Sequence, residues 1–174
     1  MWSMAWRNRG ASLIVVLLLV TFAASAAAHD EDCELELRQA PIEDVSPPPG
    51  WIWREVVVAS DGWRGHLEWS GGDLRAASFA ISCVVDPAGL FERRAQVRRS
   101  AGNEEIELEG MIGDEAAAWR SSRTATTHLE WRGGGAIGEI IGEWNASVAE
   151  LAAMASALET ARSGDEALEA QVDQ

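Results

Sequence analysis

Ala136-Ile137-Gly138-Glu139-Ile140-Ile141-Gly142-Glu143-Trp144 decides the fold. Ile137, Ile140, Ile141 and Trp144 fall at helical spacing. Gly138 and Gly142 oppose a helix, each by about 1 kcal/mol. The preceding Arg132-Gly133-Gly134-Gly135 carries the glycines of a tight hairpin turn. The stretch therefore reads as a strand that returns alongside Ala125 to Trp131, and the chain reads as sheet-based.

A helix comes after this strand. Ser147-x-x-Glu150 is a capping box, and Val148, Leu151, Met154, Ala155 and Leu158 make one apolar stripe. Arg162 suits the negative end of the helix dipole, Ser163-Gly164 stops the helix, and residues 165–174 form an acidic tail. Asn145-Ala146-Ser147 also matches the short N-glycosylation pattern, but Ser147 already serves as a cap.

Upstream, Ala116 to Arg120 reads as a strand, and Ile106 and Leu108 alternate with Glu105, Glu107 and Glu109 as a strand with an acidic outer side. Asp86-Pro87 opens a helix to about Arg99, with Leu90, Phe91 and Val97 predicted inside. Ala76 to Val85 is an almost unbroken apolar run, predicted to be a strand covered on both faces. Trp51 to Val58 and Trp63 to Trp69 are two further strands around the Ser60-Asp61-Gly62 turn. On the second, Leu67 and Trp69 share one face and His66 and Glu68 the other. Pro47-Pro48-Pro49-Gly50 stiffens the way in, and Leu35, Leu37, Ile42 and Val45 form an amphipathic patch before it. The expected fold is α+β, an antiparallel sheet of about six to seven strands with helices packed on it. His66-Leu67-Glu68-Trp69 returns as His128-Leu129-Glu130-Trp131, each followed by Gly-Gly, a strand and a helix. A pair of related strand–strand–helix units explains the echo; two unrelated hairpins with like packing explain it equally.

The chain begins as an exported protein does. Arg7 and Arg9 precede an uncharged run from Ala11 to Ala28 that ends Ala26-Ala27-Ala28. Residues 1–28 read as a signal peptide cut before His29, or as an uncleaved anchor at the short limit for crossing a bilayer. Both readings place the remainder outside the cytoplasm, and only this segment touches a membrane. The chain divides into four parts: the targeting segment 1–28, an N-terminal segment 29–50, an α+β domain 51–163 and the tail 164–174. The net charge of −14 disfavours nucleic acid as a partner. With no lysine in the chain, Schiff-base and P-loop chemistry are excluded. In an oxidising compartment Cys33 and Cys83 read as a disulfide, the alternative being two separate buried thiols.

Candidate sites are few. His66, Glu68, His128 and Glu130 could converge on zinc or copper if their hairpins are neighbours; otherwise they are solvent-facing polar residues. His29, as a new amino terminus, adds a chelating amine and imidazole. Trp51 and Trp53 could line a groove for a ligand, or belong to the core with the other tryptophans. Arg94 and Arg98 share a helix face and could bind an anion or acidic partner, or pair with nearby Glu. No catalytic or cofactor motif occurs. The expected function is a non-enzymatic exported domain for an unknown protein or small-molecule ligand. A metal-binding exported protein is the runner-up and an exported hydrolase the third reading.

Pro48-Pro49-Gly50-Trp51, Gly113-Asp114-Glu115-Ala116-Ala117-Ala118-Trp119 and Leu151 through Leu158 succeed one another in an order that resembles small exported bacterial domains of the PsbP/Mog1-like α/β-sandwich type. The loose patterns span most of residues 48–162. The resemblance implies an antiparallel sheet with packed helices and an accessory, ligand-binding or assembly role. It transfers no functional residue, and the lipid-anchor site frequent in such domains is missing here. The targeting reading predicts a mature chain that starts at His29. Intact-mass measurement of the exported protein checks this, and a species retaining Met1 outside the membrane fraction contradicts it.

Overall fold

Gly134 and Gly135 adopt φ of 49° and 80°, the left-handed pair that a two-residue hairpin turn needs and glycine supplies without strain. The turn sets Gly133 opposite Ala136 and carries the pairing through Trp131↔Gly138 and Glu130↔Glu139 to Thr127↔Gly142. Ala136–Glu143 is thus a strand, as the sequence predicts. A Cβ on Gly138 would stand 2.2 Å from the Trp131 ring. The glycine that weakens a helix here is the residue over which the indole packs.

The computed structural model describes residues 31–40, 42, 45–59, 61–71, 75–121, 123–143 and 145–164. The expected targeting segment, His29 and the tail 165–174 lie outside the described residues. In chain order the elements are α1 (Glu31–Gln39), β1 (Trp51–Ala59), β2 (Gly62–Trp69), β3 (Ala76–Cys83), α2 (Pro87–Ser100), β4 (Glu104–Ile106), β5 (Glu115–Arg120), β6 (Thr127–Gly133), β7 (Ala136–Glu143) and α3 (Val148–Ser163). The strands form one antiparallel sheet of seven, ordered β1-β2-β3-β7-β6-β5-β4.

The inner face of the sheet holds the main core. Trp63, Leu67, Phe79, Ile81, Leu129, Trp131 and Ile140 meet Leu151, Met154 and Leu158 of α3 and Leu37 of α1. Each such large apolar side chain, fully buried, contributes about 1.5–3 kcal/mol. The α3 boundaries agree with the sequence reading. The Ser147 hydroxyl accepts from the Glu150 N–H, the Glu150 carboxylate accepts from the Ser147 N–H, and Gly164 closes the helix at φ 70°.

On the outer face α2 lies across β6 and β7, with Phe91 and Ala95 buried. Here the structure corrects the apolar-stripe reading. Val97 is 67% exposed, because the sheet-facing side of α2 is Phe91, Arg94, Ala95 and Arg98. β3 is also not covered equally on both faces. Ala77, Phe79, Ile81 and Cys83 are buried, whereas Ala76, Ser78, Ala80 and Ser82 are half-buried, and Val85 lies beyond the strand, exposed. Small side chains, not a second apolar layer, made the run look continuous. β4 stops at Ile106, short of the alternation expected to Glu109, because Leu108 turns to pack against the main core.

The two echoed hairpins, β2–β3 and β6–β7, are neighbours through the β3/β7 pairing, but the echoed words lie on their far strands, β2 and β6. They stand symmetrically about the central β3/β7 seam, with His66↔Ser78, Ser78↔Ile141 and Ile141↔His128 in one row. The helices break that symmetry: α2 packs on the outer face and α3 on the inner one.

Before β1 the amphipathic patch becomes α1, with Leu37 buried and Leu35 turned to solvent. Three attachments hold this helix. Cys33 is bonded to Cys83 with a Cα–Cα distance of 5.8 Å. Trp63 Nε1 donates to the Leu37 carbonyl at 2.8 Å. Arg162 Nη1 donates to Glu36 at 2.9 Å. The disulfide spans 50 residues, so chain entropy assigns it about 4 kcal/mol. The Cys33→Ala/Cys83→Ala variant is expected to lose stability of that order in urea denaturation, and an unchanged midpoint would refute the entropic account.

Candidate functional site

Glu130 is 1% exposed, the most deeply buried ionisable side chain among the described residues. The register set by the Gly134-Gly135 turn places it directly across from Glu139 on β7. Two carboxylates so placed under a helix require a cation, since like charges opposite one another repel and burial magnifies the repulsion. α2 supplies it. Arg98 Nε and Nη2 donate to Glu130 Oε1 at 2.9 and 2.6 Å, and Nη2 also reaches Glu139 Oε1 at 2.5 Å. Arg94, one turn earlier, lies 3.8 Å from Glu139. His128 Nδ1 donates to Glu139 Oε1 at 3.4 Å while its Nε2 faces the Thr126 hydroxyl at 3.3 Å. Burial pushes the Glu139 carboxyl up, but the His128 hydrogen bond and the Arg98 and Arg94 charges outweigh it and hold the group below its ordinary value. These polar groups are committed to one another and fasten α2 to the sheet.

A second polar feature lies at the C-terminal end of α3. A cleft of about 400 Å³ opens between the 111–114 loop, the Gly133-Gly134 turn and the last turns of α3. Its floor is an ion pair: Arg162 Nε and Nη2 donate to Glu159 at 3.0 and 2.6 Å. Trp131 Nε1 donates to Glu159 Oε2 at 3.1 Å from below. Burial disfavours the Arg162 charge, yet the Glu159 hydrogen bond and the Glu159, Glu36 and Asp114 charges raise its pKa above the ordinary value. Arg162 stands in the last turn of α3, where the sequence places it at the negative end of the dipole, and it is also buried and joins α3 to α1. Ser156, Thr160 and Ser163 line one wall, and Met111, 83% exposed, stands at the mouth.

No family model, curated protein or solved structure matches this chain.

The residues singled out from sequence are dispersed through the fold. His66 and His128 lie on the same face but three strand spacings apart, about 14 Å. Metal ligands sit about 2 Å from their ion, so these two imidazoles do not share one. Glu68 pairs with Arg54 at 2.6 Å and Glu130 with Arg98. Among the described residues no three His, Cys, Asp or Glu side chains group as a metal site. His29 lies outside the described residues. Trp51 is buried and Trp53 half-buried, and both indoles are satisfied, by Glu150 at 3.3 Å and by the Val45 carbonyl at 2.7 Å. They belong to the core and do not line a groove. Arg94 and Arg98 face the sheet and pair with Glu139 and Glu130, leaving no free basic face for an anion.

Sequence reasoning missed Glu139, Glu159 and the cleft. For Glu139 a signal existed. A two-residue turn at Gly134-Gly135 forces residue 130 to face residue 139, so the turn itself dictates the opposed carboxylates. Glu159 and Arg162 are an i,i+3 pair that the helix reading of α3 already offered; the approach of the 111–114 loop and the Gly133-Gly134 turn, which completes the cleft, is not encoded locally.

Arg98→Ala is expected to destabilise the fold by about 3–5 kcal/mol, because it leaves Glu130 buried and unpaired. Glu139 titrates lower in the folded state than its ordinary value of 4.5. Its stabilising contribution is therefore complete above that pH and is lost as pH falls through the lowered folded value. The stability gap between the wild type and Glu139→Gln should narrow from neutral pH towards about pH 3, measured by urea denaturation. A gap independent of pH would refute the pairing.

Proposed function

We propose that this chain works outside the cytoplasm as a non-enzymatic binding domain that takes a small polar ligand in the cleft beside the end of α3. The observation that carries this reading is the cleft itself. Its charged floor is pre-formed by the Arg162–Glu159 pair, its wall presents hydroxyls, and an exposed methionine stands at its rim. Pre-formed concave sites with a few convergent polar groups are where small molecules bind. The fixed ion pair fits binding better than proton transfer, because the Glu159 hydrogen bond and the surrounding carboxylates hold the Arg162 charge in place.

The buried Cys33–Cys83 bond supports the extracytoplasmic part, since such bonds persist in oxidising compartments. The basic, apolar N-terminal segment supports it independently. The accessory role is the one that the PsbP/Mog1-like resemblance implies, and the antiparallel sheet with packed helices is the α+β arrangement it calls for. The symmetric placing of the two hairpins supports related strand–strand units, while the helices, on opposite faces of the sheet, do not extend the relation.

Trp131 touches the cleft floor through Glu159 and so reports occupancy. Titration with disaccharides, amino acids and short peptides is expected to give a saturable change in tryptophan emission for one class. Ser156→Phe, which fills the wall, should abolish it without changing the melting temperature. A flat response across the whole panel refutes the cleft as a binding site.

A further inference from the structure

β1 ends the sheet and pairs with β2 alone. It is nine residues long and carries three of the seven exposed large apolar side chains among the described residues, Ile52, Val57 and Val58 at 43, 47 and 51% exposure. A long apolar edge is a template for another strand, because beyond the Trp51 N–H, which donates to the Pro48 carbonyl, its outward groups have no strand partner among the described residues. The chain as a whole is strongly acidic, with a net charge of −14. Around β1 the signs are mixed instead: Arg54 and Arg64 stand among Glu55, Asp61 and Glu68, with Arg54 on Glu68 and Arg64 on Asp61. The edge is therefore nearly balanced in charge, and its opposite signs can be matched between two copies.

The bulge in β1 supplies a second observation. Trp53 pairs with Leu67 and Glu55 with His66, so Arg54 is an extra residue. Ile52, Arg54, Glu55 and Val57 then fall on the outer face, and Trp51, Trp53, Val56 and Val58 on the inner one. In a regular strand, two identical copies paired antiparallel can match only residues whose numbers sum to an even value, because opposed side chains must share a face. The bulge lifts that restriction across its position.

We propose that β1 pairs antiparallel with β1 of a second copy, about a two-fold axis between Arg54 and Glu55. Each Arg54 then faces the partner's Glu55, so the charge match occurs twice. Ile52 meets the partner's Val57 on the outer face. Trp53 meets the partner's Val56 and Trp51 the partner's Val58 on the inner face. Every matched pair lies on one face and combines either opposite charges or apolar groups. The side chain of Arg54 is 58% exposed despite its contact with Glu68, which leaves it free to serve both carboxylates. An isologous contact of this kind closes on itself and leaves β4 as both ends of the doubled sheet.

Sedimentation of the full exported chain, disulfide intact, across a concentration series tests the proposal. A monomer–dimer equilibrium is expected; monomer mass at every concentration overturns it. Val57→Lys and Arg54→Glu should each weaken dimerisation at least about tenfold, since both set unfavourable groups across the seam. Arg54→Glu/Glu55→Arg exchanges the charges and should return affinity to within about threefold of wild type, as the opposed signs are restored. All three substituted positions are exposed, and circular dichroism with thermal melting confirms that each variant folds. A dimer indifferent to Val57→Lys and Arg54→Glu, or a charge exchange that fails to rescue, overturns the assignment to this edge.

Discussion

The pairing of β6 with β7 sets the conditions that the rest of the molecule meets. Two glycines in the left-handed region fix the turn, and the turn fixes every cross-strand neighbour behind it. On the inner face this brings Trp131 over Gly138. On the outer face it brings Glu130 against Glu139. The first arrangement makes room for α3. The second creates a concentration of negative charge that is tolerable in a buried layer only if a cation comes with its covering helix. α2 therefore docks through guanidinium groups as much as through hydrocarbon, and Phe91 with Ala95 makes up its small apolar contact.

That division explains which elements were legible in the sequence. β1, β2, β7 and the capped α3 were readable because local chemistry and burial agree in them. Turn glycines, aromatic and β-branched residues, and the Ser147–Glu150 box all point the same way. The inner side of α2 was misread because hydropathy assigns a buried side by apolarity. Val97 looked like core, and Arg98, which is the anchor, looked like surface. β3 was misread for a related reason: alanine and serine fill a half-covered face without being driven there. The cysteine pair was legible because compartment and number left few options.

The candidate sites show a sharper contrast. The two His-Leu-Glu-Trp words suggested convergence, and their hairpins do occupy matching places in the sheet. Symmetry about the β3/β7 seam is also what separates them, since β3 and β7 both lie between His66 and His128. The words mark equivalent positions in two hairpins. The same residue types have different surroundings at each: His66 and Glu68 on β2 are exposed, whereas Glu130 on β6 is enclosed by α2. Covering one copy and leaving the other open turned similar strands into unlike surfaces. The cleft beside α3 was hidden from sequence because its parts come from a loop, a turn and a helix end that meet only in the finished fold.

The central seam joins strands from opposite halves of the chain, Ala76–Cys83 with Ala136–Glu143. A growing polypeptide that has completed β1 to β3 has one edge of β3 against β2 and the other, which will meet β7, open. Its neighbour arrives only after another half-domain has been synthesised, and the lid over the inner layer later still, with the last turns of α3. Closure is consequently a terminal, whole-chain event. Until then the β7-facing edge of β3 and the apolar inner side of the sheet lack the partners that the finished fold gives them.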